Sequence, residues 1–86
     1  MSEQFTKTEG QYLAFIYNYS IMHGRAPAER DLQIFFGVTP PAVHQMIVKL
    51  DSKNLINRIP GAARSITLNI DIDTLPSLVR PISRQI

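Results

Sequence analysis

The stretch between residues 31 and 50 constrains the fold of this chain more than any other. Leu32 and Phe36 lie one helical turn apart, and Gly37 follows them as a residue free to adopt positive φ. Thr39 before Pro40 is typical of the start of a second helix. The apolar residues of that helix have the spacing of a single buried face, at Val43, Met46, Ile47 and Leu50. The stretch therefore predicts two short amphipathic helices joined by a glycine turn, a helix-turn-helix unit.

A longer helix is predicted before this unit. Thr6 and Glu9 have the spacing of a capping box, and Gly24 is a typical C-terminal stop, so the helix should run to about His23. Its buried stripe is largely aromatic and consists of Tyr12, Phe15, Ile16 and Tyr19. We interpret this stripe as core volume and not as a platform for stacking bases, because a small three-helix core needs large side chains.

A β-hairpin is predicted after the unit. The second helix should begin near Ala28 and the third should end near Lys53, with Asn54 as a left-handed cap. Residues 55–59 and 64–68 then have the pattern of two strands around a turn at Pro60–Gly61. The predicted fold class is mainly α with a small β-hairpin. It is a winged helix-turn-helix, with a three-helix core and a two- or three-stranded wing.

Residues 1–70 are predicted to form a single winged helix-turn-helix domain, and residues 71–86 are predicted to form a C-terminal tail. The tail has no strong periodicity, but four of its residues are apolar enough to pack against another surface: Leu75, Leu78, Val79 and Ile82. We therefore predict that the tail is a dimerisation segment.

Composition excludes several classes of site. The chain has 86 residues and no cysteine, which excludes disulfides, thiolate zinc sites and cysteine nucleophiles. Its two histidines are far apart in sequence, so neither a metal site nor another cofactor is predicted. Asp71 and Asp73 have no partner suited to acid–base chemistry, so we do not expect an enzyme. The lack of cysteine indicates a reducing compartment and so predicts a cytoplasmic protein. The polar start and the absence of a long apolar run predict no export signal and no membrane span.

Positive charge is concentrated between residues 39 and 70. This range contains four basic residues and one acidic residue, Asp51. Such segregation is typical of a surface that faces phosphates. The basic residues are Lys49, Lys53, Arg58 and Arg64. We predict that they contact DNA phosphates, although Arg64 could instead brace the hairpin against an acidic side chain.

The face of the third helix opposite its buried stripe contains the candidate base contacts. Gln45 can bond the edge of an adenine, and His44 can donate to a guanine or to a phosphate. Ala42 and Val48 can contact thymine methyl groups, and Thr39 at the amino end suits a phosphate. The complete predicted DNA-binding set is Thr39, Pro41, Ala42, His44, Gln45, Val48, Lys49, Lys53, Arg58, Arg64 and Ser65.

Several motifs of the chain stand in a characteristic order. They are Thr6 with Glu9, Gly24 with Pro27, Leu32 with Phe36 and Gly37, Ala42-Val43-His44 with Leu50, and Arg58-Ile59-Pro60-Gly61 followed by Arg64-Ser65-Ile66 and Leu68. Over about residues 5 to 70 this order resembles the amino-terminal DNA-binding domain of LexA-type repressors. The resemblance implies a winged helix-turn-helix that binds operator DNA as a dimer. It does not extend to the family's self-cleaving peptidase domain, and Gln33 and Pro41 depart from the family's pattern, so no operator sequence is carried over.

These observations favour a sequence-specific regulator of transcription that binds double-stranded DNA, a small LexA-like repressor acting as a homodimer. Its third helix, residues 40–53, would enter the major groove, and its wing, residues 55–68, would contact phosphates. Two alternatives stay open. One is a winged-helix module that binds a protein partner through Pro41, Ala42 and Val48, and the other is an RNA-binding winged helix.

Overall fold

A computed structural model describes residues 4–81 of the chain. It contains the helices α1 (Lys7–His23), α2 (Glu29–Phe36) and α3 (Pro40–Ser52), followed by the strands β1 (Ile56–Asn57) and β2 (Thr67–Leu68). The strands form a two-stranded antiparallel sheet, in which Ile56 pairs with Leu68 and Asn57 with Thr67. The fold is mainly α with a small β-hairpin, the architecture of a winged helix, as the sequence predicted.

Helix α1 begins and ends where its capping residues predict. The Thr6 hydroxyl accepts from the Glu9 amide at 3.1 Å, and the Glu9 carboxylate accepts from the Thr6 amide at 2.8 Å, which completes the capping box. At the other end Gly24 adopts a φ of 69°, and its amide donates to the Ser20 carbonyl at 2.9 Å. Both ends of the helix are therefore specified by local sequence.

The predicted helix-turn-helix is formed by α2 and α3. Gly37 has a φ of 66°, and the amides of Gly37 and Val38 both donate to the Gln33 carbonyl, which ends α2. At the start of α2 no N-cap side chain is available, since Ala28 occupies that position. The Asp31 carboxylate accepts from the Ala28 amide at 2.8 Å instead and satisfies one of the free N–H groups.

The hairpin is shorter than predicted. Residues 55–59 and 64–68 were expected as strands, but only two residues of each segment pair. Arg64 has a φ of 56°, a left-handed conformation that a strand does not accommodate. The Ser65 hydroxyl accepts from the Ile59 amide at 2.9 Å, which fixes residues 59–65 as a compact loop. The predicted turn at Pro60–Gly61 and the left-handed Asn54, with a φ of 61°, are present.

One hydrophobic core joins all these elements. Leu13 and Ile16 of α1 pack with Leu32 of α2 and with the apolar stripe of α3, and the hairpin closes the core with Ile56 and Ile66. On α3, Val43, Ile47 and Leu50 are fully buried, and Met46 is half-buried. The aromatic residues of the predicted stripe contribute to this core: Tyr12 and Phe15 are buried in it and Tyr19 packs against it. The Tyr12 ring stacks on Phe36 with centroids 4.1 Å apart. The buried stripe of α3 leaves its opposite face free.

Residues 71–81 fold back onto α1. After a short 3-10 helix at Ile72–Thr74, the Gln11 side chain bonds the backbone of this segment twice, donating to the Ser77 carbonyl at 2.9 Å and accepting from the Val79 amide at 2.8 Å. Leu75 and Leu78 are partly buried against the core. Ile82, which the sequence grouped with these apolar residues, lies outside the described residues. The described part of the tail therefore packs on the domain's own first helix.

No helix within residues 4–81 is long and apolar enough to span a membrane. The same residues contain no cluster of three His, Cys, Asp or Glu side chains that would suit a metal ion.

Candidate nucleic-acid interface

The outer face of α3 presents the predicted base contacts to solvent. Pro41, Ala42, His44, Gln45 and Val48 are all exposed, whereas the opposite face of the helix is buried. Because core packing fixes that buried face, the exposed side chains project from a rigid support. The structure thus brings these five predicted residues together on one surface.

The amino end of this surface is capped internally. The Thr39 hydroxyl accepts from the Ala42 amide at 3.3 Å, so Thr39 is the N-cap of α3. Pro40 and Pro41 occupy the first helical turn, where a missing N–H costs no intrahelical bond. Thr39 is also exposed and retains a free side of its hydroxyl for a ligand oxygen.

A carboxylate of α2 lies beside the centre of the surface. The Oε2 atom of Glu29 is 3.4 Å from Nδ1 of His44, and both side chains are partly open to solvent. A carboxylate is only an acceptor, so this contact requires a proton on Nδ1 and leaves Nε2 of His44 facing away from Glu29. The contact therefore orients the His44 ring.

Two predicted phosphate contacts, Lys49 and Lys53, share a buried carboxylate. Glu9 is fully buried, and its Oε1 atom accepts from the Lys53 ammonium at 2.7 Å. The Lys49 ammonium lies 3.5 Å from Oε2 of the same carboxylate. Burial acts to raise the pKa of Glu9, but the hydrogen bonds from Lys53 and the Thr6 amide, together with the two positive charges, outweigh it and lower the pKa below the usual value of 4.5. Glu9 is therefore ionised and links α1 to α3.

The predicted phosphate contacts of the wing are also paired within the fold. Nε of Arg58 donates to Asp51 at 3.1 Å. Nη1 of Arg64 lies 3.1 Å from each of three acceptors, the Tyr19 hydroxyl, the Ala26 carbonyl and Oδ2 of Asp31. Arg64 thus braces the hairpin against an acidic side chain, the alternative role that the sequence left open for it.

These wing contacts shift the pKa values of Arg64 and Asp31. The pKa of Arg64 is raised, chiefly by its hydrogen bond to the Tyr19 hydroxyl and further by Asp31. Burial acts to raise the pKa of Asp31, but its bonds with the Ala28 amide, Tyr19 and Arg64 lower it below the usual 3.8. Ser65, another predicted contact, uses its hydroxyl inside the loop, within hydrogen-bond distance of the backbone of Ile59 and Ala62.

The acidic partners of these cations were not part of the predicted site. Glu9, Glu29 and Asp31 come from α1 and α2, outside residues 39–70, and contact side chains of that range: Glu9 contacts two lysines, Glu29 contacts His44 and Asp31 contacts Arg64. For Glu9 the sequence did carry a signal, because Glu9, Leu13 and Ile16 are spaced as one helical face, and that face is buried. A carboxylate on a buried stripe needs a cation, and the structure supplies Lys53.

Comparison with known proteins finds no family model that matches the chain. Two relatives, both named LexA repressor, are similar to it over 66 residues: one from Thermosipho melanesiensis at 35% identity and one from Thermosipho africanus at 33% identity. The matched residues are 77% of this chain but 33% of each relative. The chain thus spans about a third of the length of these relatives. The resemblance to LexA repressors that the motifs indicated is confirmed over that part.

Proposed function

We propose that the chain is a sequence-specific DNA-binding regulator of transcription, a small LexA-like repressor that places α3 in the major groove of operator DNA in the cytoplasm. One observation carries the proposal. The face of α3 that bears His44 and Gln45 is exposed along its length, while its opposite face is fixed in the core by Val43, Ile47 and Leu50. The similarity to proteins named LexA repressor supports the same role.

The chemistry of the exposed face suits base edges. The major groove admits an α-helix, and a glutamine amide there can bond both N6 and N7 of an adenine. Gln45 is the proposed bidentate contact, and Ala42 and Val48, which offer only apolar atoms, are the proposed contacts to thymine methyl groups. The contact of Nδ1 with Glu29 leaves Nε2 of His44 as a further proposed contact to the same groove. Discrimination between base pairs would then come from four neighbouring positions of one helix.

Phosphate contacts fix the register of such a helix without reading sequence. Thr39 and the amino end of α3 form the proposed contact at one end of the helix, and Lys49 forms the proposed contact toward the other. The wing follows α3 directly in the chain, and its loop residues 58–65 lie beside the start of α2. We propose that this loop contacts the flanking backbone of the DNA.

Selection of bound sites from random duplex DNA tests the proposal, followed by titration of the selected site at several salt concentrations. We expect nanomolar, salt-sensitive binding to the selected site and much weaker binding to a scrambled duplex. Gln45→Ala should reduce the preference for the selected site by a factor of about 5 to 150, which is the equivalent of about 1–3 kcal/mol for one bidentate contact. Its salt dependence should equal that of the wild type.

Arg80→Ala is a matched control, since Arg80 is an exposed cation in the segment that follows the wing and is not part of the proposed interface. It should leave site preference unchanged. Failure to enrich any duplex sequence would contradict the proposal. Stronger binding to structured RNA, or a protein partner that is retained at high salt, would support the respective alternative function instead.

We further propose that the repressor acts as a homodimer, because one domain of this size covers few base pairs and a second copy doubles the contacts. A dimer would show itself in the selected sequences as two inverted half-sites. Light scattering or sedimentation equilibrium of the free protein gives the oligomeric state directly. Selected sites with a single half-site, together with a monomeric mass on and off DNA, would refute this part of the proposal.

A further inference from the structure

The two lysines at the carboxyl end of α3 are held very differently. Lys53 donates to Glu9 at 2.7 Å, and its side chain is 36% exposed. Lys49 lies 3.5 Å from Glu9, and its side chain is 58% exposed. The Oε2 atom next to Lys49 receives no hydrogen bond from the described residues. One ammonium is therefore bonded to the fold, and the other is attracted to it without a hydrogen bond.

The burial of Glu9 explains why moving the Lys53 ammonium away from this carboxylate is energetically costly. The Glu9 side chain is 0% exposed, so it has no access to water that could replace a lost partner. An ionised carboxylate that loses its hydrogen-bonded cation in such a place becomes an uncompensated buried charge, which is strongly unfavourable. A DNA phosphate that drew Lys53 away would have to overcome this cost.

Lys49 has no such constraint. It makes no hydrogen bond to Glu9, so moving its ammonium toward a phosphate gives up only charge attraction, while Lys53 continues to neutralise the carboxylate. Its exposed position on α3 is one helical turn after Gln45, on the face proposed to meet the DNA. Lys49 is thus more available to a DNA phosphate than Lys53, although both are lysines and lie only four residues apart.

We infer that Glu9 is a positioning residue of the DNA interface, one that retains Lys53 within the fold and leaves Lys49 as the lysine of α3 that binds a phosphate. The inference rests on the proposed function, because it specifies which cation of the proposed interface meets DNA. It also gives the α1 capping residue a second role, since the same carboxylate that closes the Thr6 capping box selects the phosphate contact of α3.

The salt dependence of DNA binding tests the inference. Each phosphate contact adds about 0.9 to the slope of log K against log salt, which is about 3.5-fold in affinity between 50 and 200 mM salt. We expect Lys49→Ala to lower the slope by about 0.9. Lys49→Arg should restore it. Lys53→Ala should lower the slope by less than Lys49→Ala does, because Lys53 itself contacts no phosphate and its loss only draws Lys49 toward Glu9. It should lower the melting temperature by more than Lys49→Ala does, because Lys53 acts on DNA only through the fold.

Glu9→Gln gives the complementary result. A neutral amide oxygen still accepts from the Thr6 amide but no longer holds Lys53 by charge, so the slope should rise, by up to about 0.9, as a second lysine becomes available. All titrations are run well below the melting temperature of each variant, with folding checked by circular dichroism. Arg80→Ala again controls for a general loss of charge and should not change the slope.

Two outcomes would overturn the inference: equal slope losses for Lys49→Ala and Lys53→Ala, or a slope for folded Glu9→Gln that is unchanged or lower. Failure of the proposed function looks different. In that case the wild type itself does not bind duplex DNA, while the order of the melting temperatures still reports whether Lys53 is the bonded lysine.

Discussion

Replacement of Glu9 is the most informative test of how this fold is stabilised. The Glu9 carboxylate receives two short hydrogen bonds, from the Thr6 amide at 2.8 Å and from Lys53 at 2.7 Å, in a site without solvent access. Glu9→Gln keeps the shape and the Thr6 bond but removes the charge. Glu9→Ala removes both bonds and leaves a cavity. The two variants therefore separate the ion pair from the cap and the packing.

The expected losses follow from these contacts. A hydrogen bond to a charged group contributes about 1.5–3 kcal/mol, and a buried amide costs less to desolvate than a buried carboxylate, so Glu9→Gln should lower the free energy of unfolding by about 1–2 kcal/mol. Glu9→Ala also loses about 1 kcal/mol of capping and some packing, for a total of about 3 kcal/mol. For a domain of this size, 1 kcal/mol corresponds to about 4–8 °C in Tm.

Urea unfolding at neutral pH, followed by circular dichroism, measures these differences. The same experiment in acid shows in which direction the stabilisation by Glu9 changes with pH. Because the pKa of folded Glu9 lies below 4.5, its stabilisation is complete above that pH and is lost as the pH falls through the folded value. The protonated carboxyl group resembles the glutamine amide in size and charge. The gap between wild type and Glu9→Gln should therefore close progressively below pH 4.5.

Two results would refute this reasoning. If Glu9→Gln is as stable as the wild type at neutral pH, or more stable, the desolvation of the carboxylate exceeds what its partners return. A gap of the expected size that persists unchanged in acid would also refute it, because the stabilisation would then not depend on the ionised form.

Three further predictions concern the wing, the first helix and the tail. Arg64→Lys should lower Tm in thermal unfolding, because a single ammonium cannot reproduce the contacts of the guanidinium with Tyr19, Ala26 and Asp31, and an unchanged Tm would show that these combined contacts are dispensable. Gly10→Ala should loosen the contact of residues 71–81 with α1, because a Cβ atom would lie 3.2 Å from the Pro76 ring and 3.0 Å from the Phe5 ring, and faster amide exchange in that segment would report it. Deletion of residues 71–86 should weaken self-association, with a mass unchanged by light scattering as the contrary result.

The elements of this fold that local sequence determines could be predicted, and those that depend on distant contacts could not. Both ends of α1, the turn at Gly37 and the buried face of α3 depend on residues within about one helical turn, and all three agree with the structure. The length of the hairpin, in contrast, depends on residues that are distant in sequence. It is limited by the left-handed Arg64, whose side chain reaches Tyr19 and Asp31 on other helices.

In the candidate site, too, the features set by local sequence could be predicted and those set by distant contacts could not. Exposure of Gln45 and His44 follows from the helical period of α3 alone, so the sequence could place both on the outer face. The partners of the basic residues could not be placed, because Lys53 meets a carboxylate 44 positions away in sequence and Arg64 meets one 33 positions away. Such pairs depend on how the helices pack.

The basic residues that cluster between residues 39 and 70 of the sequence are therefore not separated from acidic residues in the folded structure. Residues 39–70 carry four cations and one anion, but Glu9 and Asp31 approach those cations from α1 and α2, and Asp51 bonds to Arg58. A phosphate that approaches this surface competes with carboxylates already in place, so the salt dependence of binding should be smaller than a count of four cations implies. Under the proposed function, the binding energy would then depend more on the uncharged face of α3, where Gln45 and its apolar neighbours are exposed. Under that function, such a domain would favour discrimination between sequences over general affinity for DNA, since base contacts carry specificity and phosphate contacts do not.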